Sequence, residues 1–222
     1  MLSIVPTPIG NLEDITLRAL RTLKEADYVI AEDTRHSGIL LKHFEIKTPQ
    51  LSFHSHSGPG QVERILGLLR DGKNCAMISD AGMPGISDPG YRLIRAVIEE
   101  ELPLTVLPGP TAATTAVVAS GLASHSFLYI GFLPLKKGRQ TALTSLAELP
   151  YTLIFYEAPH RIVRTLEDLA KFFGEERKVA VCRELSKAFE EVRRSTLAEA
   201  LAHFKETKPR GEFTLVLEGA NS

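Results

Sequence analysis

The chain has 222 residues, enough for one large or two compact domains. Its hydrophobic share of 44%, charged share of 24% and formal net charge of −1 exclude a disordered chain and a uniformly basic nucleic-acid binder. Apolar runs are only a handful of residues long, far short of the ~20 needed to cross a bilayer, so no membrane partner is expected. Cys75 and Cys182 lie in strand-like runs without a CxxC partner. They read as core thiols of a reducing cytoplasm, not as a disulfide or a metal pair. No charged leader with an apolar core opens the chain, so a cytoplasmic location is expected.

In chain order, Ile4 and Val5 open a short strand that runs into Pro6-Thr7-Pro8-Ile9-Gly10. A stripe of Leu17, Leu20 and Leu23 predicts a helix over 16–25, with Asp14 as candidate cap. Strands then read at 28–31, 51–53, 75–78 and 104–107, with helices at 37–44, 61–70, 91–99 and 111–119. This alternation predicts a largely parallel sheet covered on both faces. Small and polar residues at 120–126 break the pattern and read as a linker between an N-terminal domain, 1–119, and a second, 127–222. There, strands are predicted at 127–132, 152–156, 179–182, 191–194 and 213–217. Helices are predicted at 139–147, 161–173 and 197–205. Thr196 and Glu199 form a capping box for the last helix, and Pro159 suits the first turn of the helix carrying Arg161. The reading is two α/β domains, the second with a mixed, more antiparallel sheet.

The most informative stretch is Ile78-Ser79-Asp80-Ala81-Gly82-Met83-Pro84-Gly85-Ile86-Ser87-Asp88-Pro89-Gly90. A buried strand pours into glycines and prolines, giving a rigid loop with exposed backbone polar groups. In an open α/β sheet, ligands bind where strands end at their carboxyl edge. No GxxxxGK[ST] loop is present, which argues against a nucleotide triphosphatase. The prolines after the first strand replace the GxGxxG turn of a Rossmann enzyme. His54 and His56 share a strand face but lack further ligands at metal-site spacing, so no metal is expected; a substrate-facing loop or a structural role fits them better. Glu32-Asp33-Thr34-Arg35-His36 follows another strand end, as a local ion network or an RNA contact.

Charge is uneven along the chain. Residues 1–126 carry 11 Lys/Arg against 14 Asp/Glu, and residues 127–222 carry 15 against 13. Lys136, Lys137 and Arg139 form one basic cluster; Arg193 and Arg194, and Lys205, Lys208 and Arg210, form others. Such patches allow an RNA partner without a basic protein overall, and equally fit a solvated face. Tyr156-Glu157-Ala158-Pro159-His160-Arg161 and Arg183-Glu184-Leu185-Ser186-Lys187 are two charged strand exits in one domain. They suggest a shared site or a structural salt-bridge network.

These blocks, with Ala31-Glu32-Asp33-Thr34-Arg35, Leu107-Pro108-Gly109-Pro110-Thr111-Ala112, Gly131-Phe132-Leu133-Pro134 and Gly211-Glu212-Phe213, run in order along nearly the whole chain. Together they resemble the tetrapyrrole-methylase-like superfamily of S-adenosylmethionine methyltransferases. The match is closest in the branch that methylates a cytidine ribose 2′-hydroxyl of small-subunit (16S) ribosomal RNA. Met83, Gly85 and Ser57 depart slightly from the usual wording. The resemblance implies two α/β domains with S-adenosylmethionine in the cleft between them, a homodimer, and small-subunit ribosomal RNA or the 30S subunit as partner.

Carried over by position, the cofactor contacts would be Ile9, Gly82, Met83, Pro84, Ile86, Thr111 and Ala112 from the first domain. Tyr156, Cys182 or its neighbour Arg183, and Phe213 or Thr214 would supply the second domain's side. RNA contacts are expected at Arg35, His54, His56, Lys136, Lys137, Arg139 and Arg161. A hydroxyl acceptor must lose its proton, and a base would assist. Glu184 with Lys187 is the first choice, with Glu157 and His160 as alternatives. A porphyrinoid-precursor methylase of the same fold and a non-catalytic RNA-binding or assembly factor are the rival readings.

Overall fold

Five short strands build the first sheet: β1 (Leu2–Ile4), β2 (Tyr28–Ala31), β3 (Gln50–Ser52), β4 (Cys75–Ile78) and β5 (Leu104–Val106). All pairings are parallel, in the order β3-β2-β4-β1-β5. A parallel sheet is covered on both faces, so its inner strands β2 and β4 are near-continuous apolar runs, whereas the edge strands β3 and β5 carry Gln50, Ser52 and Thr105. Accordingly Leu2, Ile4, Ile30 and Met77 pack into one core, and Val29, Ala31, Ala76 and Ile78 into another. The covering helices are α1 (Leu17–Glu25), α2 (Thr34–His43), α3 (Pro59–Arg70) and α4 (Tyr91–Glu99). Asp14 does not cap α1. Thr16, in an extended conformation, accepts the Ala19 N–H at 3.0 Å, while Asp14 sits in a preceding 3₁₀ turn capped by Asn11.

The second sheet contains β6 (Phe127–Phe132), β7 (Thr152–Glu157), β8 (Lys178–Arg183), β9 (Glu191–Thr196) and β10 (Phe213–Leu217), ordered β6-β7-β10-β8-β9. Only the β6–β7 pair is parallel. Helices α5 (Ala112–Ser120), α6 (Arg139–Ala147), α7 (Ile162–Phe173) and α8 (Leu197–Glu206) complete the unit. The capping box of Thr196 and Glu199 is formed at α8. Pro159 lies outside α7, in a turn closed by the Arg161 N–H on the Ala158 carbonyl at 2.9 Å.

The structure describes residues 1–220 of the chain, a computed structural model that divides into two compact units, Met1–Thr111 and Ala112–Ser222. The division falls before α5 instead of after it. Helix α5 packs its buried Ala113, Ala116 and Val117 side on β8 and β10. The expected linker is tied to the same unit, with the Thr152 hydroxyl donating to the Ala123 carbonyl and the Thr152 N–H to that of Ser126.

Alternation sorts the second sheet's residues by face. Phe132, Tyr156, Thr214, Cys182 and Val192 form one cross-strand row. Glu157, Phe213, Arg183 and Glu191 form the next, on the opposite face.

Candidate functional site

At the carboxyl edge of the first sheet, the exits of β1, β4 and β5 converge. Thr7 and Gly82 exchange both backbone hydrogen bonds, at 2.9 and 3.0 Å, and the Thr7 hydroxyl donates to the Ser79 carbonyl at 3.1 Å. Gly82 has φ +77°, a conformation suited to glycine. A β-carbon there would meet Ile9 Cγ2 at 3.5 Å and the Pro110 carbonyl oxygen at 3.8 Å. Three loops far apart in sequence therefore present backbone and a small apolar wall at one point. Pro84 is buried, Met83 is half-buried against the core, and Ile86 is exposed. Thr111 and Ala112 are half-buried at the residues where β5's exit runs into α5. Backbone polar groups framed by small apolar side chains fit an adenosine and an amino-acid moiety, which need few charged partners.

Acidic groups gather on the same sheet edge. The Glu32 carboxyl is pushed up to about 7 by burial and by the neighbouring Asp88 and Asp80 charges, against a hydrogen bond from the Asp80 N–H. Asp33 is held well below the carboxylate range, chiefly by the fork of Arg35, which donates from Nε and Nη2 at 3.1 and 2.8 Å. Arg35 is thus engaged locally, although highly exposed. His54 and His56 are exposed after β3. Their loop closes on itself, with the His56 N–H on His54 Nδ1 at 3.2 Å. Among the described residues, no three His, Cys, Asp or Glu side chains could hold a metal ion together.

In the second unit, Tyr156, Thr214 and Cys182 share one row and one face. Phe213 points the other way, its ring against Phe204 at 5.5 Å within the core. Arg183 lies on that same face and pairs with Glu191 at 3.1 Å. The row separates the alternatives, grouping Cys182 and Thr214 with Tyr156. Cys182 and Thr214 are themselves buried, and burial raises the Cys182 thiol to about 11.

Strand β8 ends at Arg183, so alternation does not carry on to Glu184, which turns out with φ +51°. Its carboxylate accepts from Lys187 Nζ at 2.9 Å and from the Glu212 N–H at 2.8 Å, and Lys187 also reaches Glu212 at 2.9 Å. Burial raises the Glu184 pKa, but the Glu212 N–H and Lys187 outweigh it, leaving the group more acidic than usual. Lys187 is favoured in its charged form despite burial. A strengthened acid and a proton-retaining ammonium make a clamp between the β8 exit and the β10 entry, and neither is well suited to accept a proton. Glu157 is fully buried. It receives the Ala158 N–H at 2.9 Å, the Thr165 hydroxyl at 2.5 Å and Arg161 at 3.0 Å, so both of its oxygens are engaged within the protein. His160 is exposed in the adjoining turn.

The basic residues divide. Lys136 and Lys137 are exposed. Arg139 is buried, bound to Asp168, Thr165 and the Pro134 carbonyl. Arg161 spends one nitrogen on Glu157 and another on the Leu133 carbonyl at 2.7 Å. The expected RNA contact at Arg139 is therefore corrected: burial leaves that guanidinium no open face. Phe132, half exposed beside this loop, was not singled out from sequence. The Gly131-Phe132 pair was its signal, but the strand pattern alone does not reveal the bulge that aims it.

Residues 1–201 match the family model of Tetrapyrrole (Corrin/Porphyrin) Methylases. The chain is 50% identical over 221 residues to a Synechocystis protein named ribosomal RNA small subunit methyltransferase I, covering 99% of this chain and 79% of that one. It is 46% identical to the Thermotoga maritima protein of the same name, with 98% of each chain covered. Among solved structures, a uroporphyrin-III C-methyltransferase from Thermus thermophilus aligns with TM-score 0.68 at 26% identity, covering 98% of this chain and 93% of its own. The chain belongs to the tetrapyrrole methylase family of S-adenosylmethionine-dependent methyltransferases. Its two sheets carry that family's α/β fold.

Proposed function

We propose that this enzyme transfers a methyl group from S-adenosylmethionine to the ribose 2′-hydroxyl of a cytidine in small-subunit ribosomal RNA. The observation that carries the RNA half is the near-full-length identity to relatives named as small-subunit ribosomal RNA methyltransferases. The donor half is supported by the convergence of Ile9, Gly82 and Pro110 at one sheet edge. S-adenosylmethionine, when bound, supplies a methyl activated on a sulfonium.

In this reading the chain's own residues do the rest. Ile9, Met83, Pro84, Ile86, Thr111 and Ala112 hold the donor around Gly82, with Tyr156, Cys182 and Thr214 contributing from the second unit. Holding donor and hydroxyl in line removes much of the entropic barrier. The hydroxyl proton needs an acceptor near neutrality, and Glu32 is better poised for that than Glu184. Arg35, His54, His56, Lys136 and Lys137 contact RNA, and a homodimer extends the RNA-binding surface.

Purified protein, labelled S-adenosylmethionine and 30S subunits test the proposal. The expected product is a methyl on ribose, read as an alkali-resistant dinucleotide after hydrolysis. A methyl on a base, or incorporation only into a porphyrinoid, overturns it.

A further inference from the structure

Strand β6 is an edge of the second sheet, and its pairing with β7 is irregular. Tyr129 lies opposite Ile154 and Phe132 opposite Tyr156, with a register shift between Tyr129 and Gly131. In an unbroken strand, residues three apart point to opposite faces. The bulge adds one residue, so Tyr129 and Phe132 fall on the same face as Tyr156. Gly131 takes φ +70°, a conformation that such a bulge uses. Both rings then meet Tyr156 edge-on, Tyr129 at 5.3 Å and 77°, Phe132 at 5.8 Å and 68°. Despite this contact Phe132 remains 51% exposed.

The segment that follows is pinned from beneath. Arg161 donates to the Leu133 carbonyl, and buried Arg139 donates to the Pro134 carbonyl at 3.2 Å. Between these anchors and α6 the chain presents Lys136 and Lys137 to solvent. An exposed ring backed by two others, followed directly by a fixed loop with two cations, matches one base and its phosphates. Leu135, also exposed, lies between the ring and the two lysines. It is the pairing of the ring with adjacent cations that favours a nucleotide, with its base and phosphates, over an uncharged apolar face.

We infer that Phe132, braced by Tyr129 and Tyr156, is a stacking platform for a nucleobase of single-stranded RNA, with Lys136 and Lys137 on the adjoining phosphates. The inference rests on the RNA reading above and adds to it a residue that holds a base by stacking. Stacking on an aromatic is tolerant of base identity, while lysine meets phosphate as a point charge.

The test uses the full chain, a short cytidine-rich single-stranded RNA and the same strand made abasic. Phe132→Leu is expected to weaken binding of the normal strand roughly tenfold and to leave the abasic strand unchanged, and Phe132→Trp to retain affinity. The double substitution Lys136→Glu with Lys137→Glu is expected to weaken both strands and to flatten the salt slope by about 1.4, near 0.7 per phosphate contact. Equal loss on both strands in Phe132→Leu, no loss on either, or a change only in oligomeric state by light scattering overturns the inference. So does loss of affinity for uroporphyrin alone. If wild-type protein binds neither strand and puts no methyl into small-subunit RNA, the RNA reading itself fails. Wild-type binding that Phe132→Leu does not disturb sinks the platform alone.

Discussion

The Arg139 guanidinium donates to the Asp168 carboxylate at 2.7 Å from a position only 5% exposed. Arg139 opens α6 and Asp168 lies on α7, so the pair joins two helices that cover the second sheet. Its remaining nitrogens serve the Thr165 hydroxyl at 2.9 Å and the Pro134 carbonyl. Thr165 in turn donates to buried Glu157, which also receives Arg161. Two arginines, two acids and a hydroxyl thus form one satisfied network under the 133–139 loop. Such a network is stable because each buried charge is paired, and losing one member strands the others.

Arg139→Ala is therefore expected to cost about 3 kcal/mol, the lower end for breaking a buried pair because Asp168 keeps some solvent contact. Reversing Lys136 and Lys137, both exposed, is expected to change stability by no more than about 0.5 kcal/mol. Urea unfolding separates the two cases. Equal, small losses would mean that Arg139 is not buried as described.

For Glu184, the lowered folded pKa fixes the sign of its pH dependence. Its stabilisation is present above the ordinary value of 4.5 and is lost as pH falls through the folded value. Lys187→Met is expected to cost about 1–2 kcal/mol near neutrality, with the difference from wild type shrinking as the solution is acidified. As a clamp, the pair should affect the Michaelis constant for S-adenosylmethionine while the pH profile of turnover keeps its shape. A lost limb in that profile for Glu184→Gln would restore the pair as proton acceptor.

Glu32 behaves in the opposite sense. Its folded pKa of about 7 stands above the ordinary 4.5, so folding favours the protonated carboxyl. Stability from this group is greatest below pH 4.5 and declines as pH rises through about 7. Glu32→Gln removes a half-buried charge crowded by other carboxylates and is expected to melt above wild type at pH 8, with the two converging near pH 4. Turnover near pH 8 should fall in the same variant if Glu32 accepts the hydroxyl proton. A lower melting point at pH 8 would contradict the burial and charge crowding described here.

Much of the strand pattern was legible because the inner strands of the first sheet are buried on both faces, and runs such as Cys75–Ile78 stand out as uninterrupted apolar segments. The capping box at α8 was legible for a local reason, since Thr196 and Glu199 bond within one turn. The α1 cap was not: Asp14 and Thr16 are both good capping residues, and only the chain's path through the 3₁₀ turn decides between them. Helix α5 was assigned to the wrong unit because its buried small residues carry no mark of which sheet they cover. At the candidate site, glycines and prolines marked the loop around Gly82, but side-chain roles depended on depth. Arg139 and Lys137 look equivalent in sequence, and burial separates them.

Gly82 offers the most direct test of the donor site. At φ +77°, any L side chain strains the backbone by roughly 1–2 kcal/mol, and a β-branched one by more. Its β-carbon would meet Ile9 and Pro110 at ordinary contact distance, so alanine can be accommodated while covering the backbone a ligand would approach. Gly82→Ala is expected to fold with a modest loss of stability and to bind S-adenosylmethionine at least ~10-fold more weakly, a penalty of ~1.4 kcal/mol or more. Gly82→Val is expected to abolish binding. Gly72→Ala supplies the control, because Gly72 has φ +79° with nothing within 4 Å of the added carbon. It should lose similar stability and keep its affinity. Calorimetric titration of the three folded variants decides the matter: full S-adenosylmethionine affinity in folded Gly82→Val would remove this edge from the donor site.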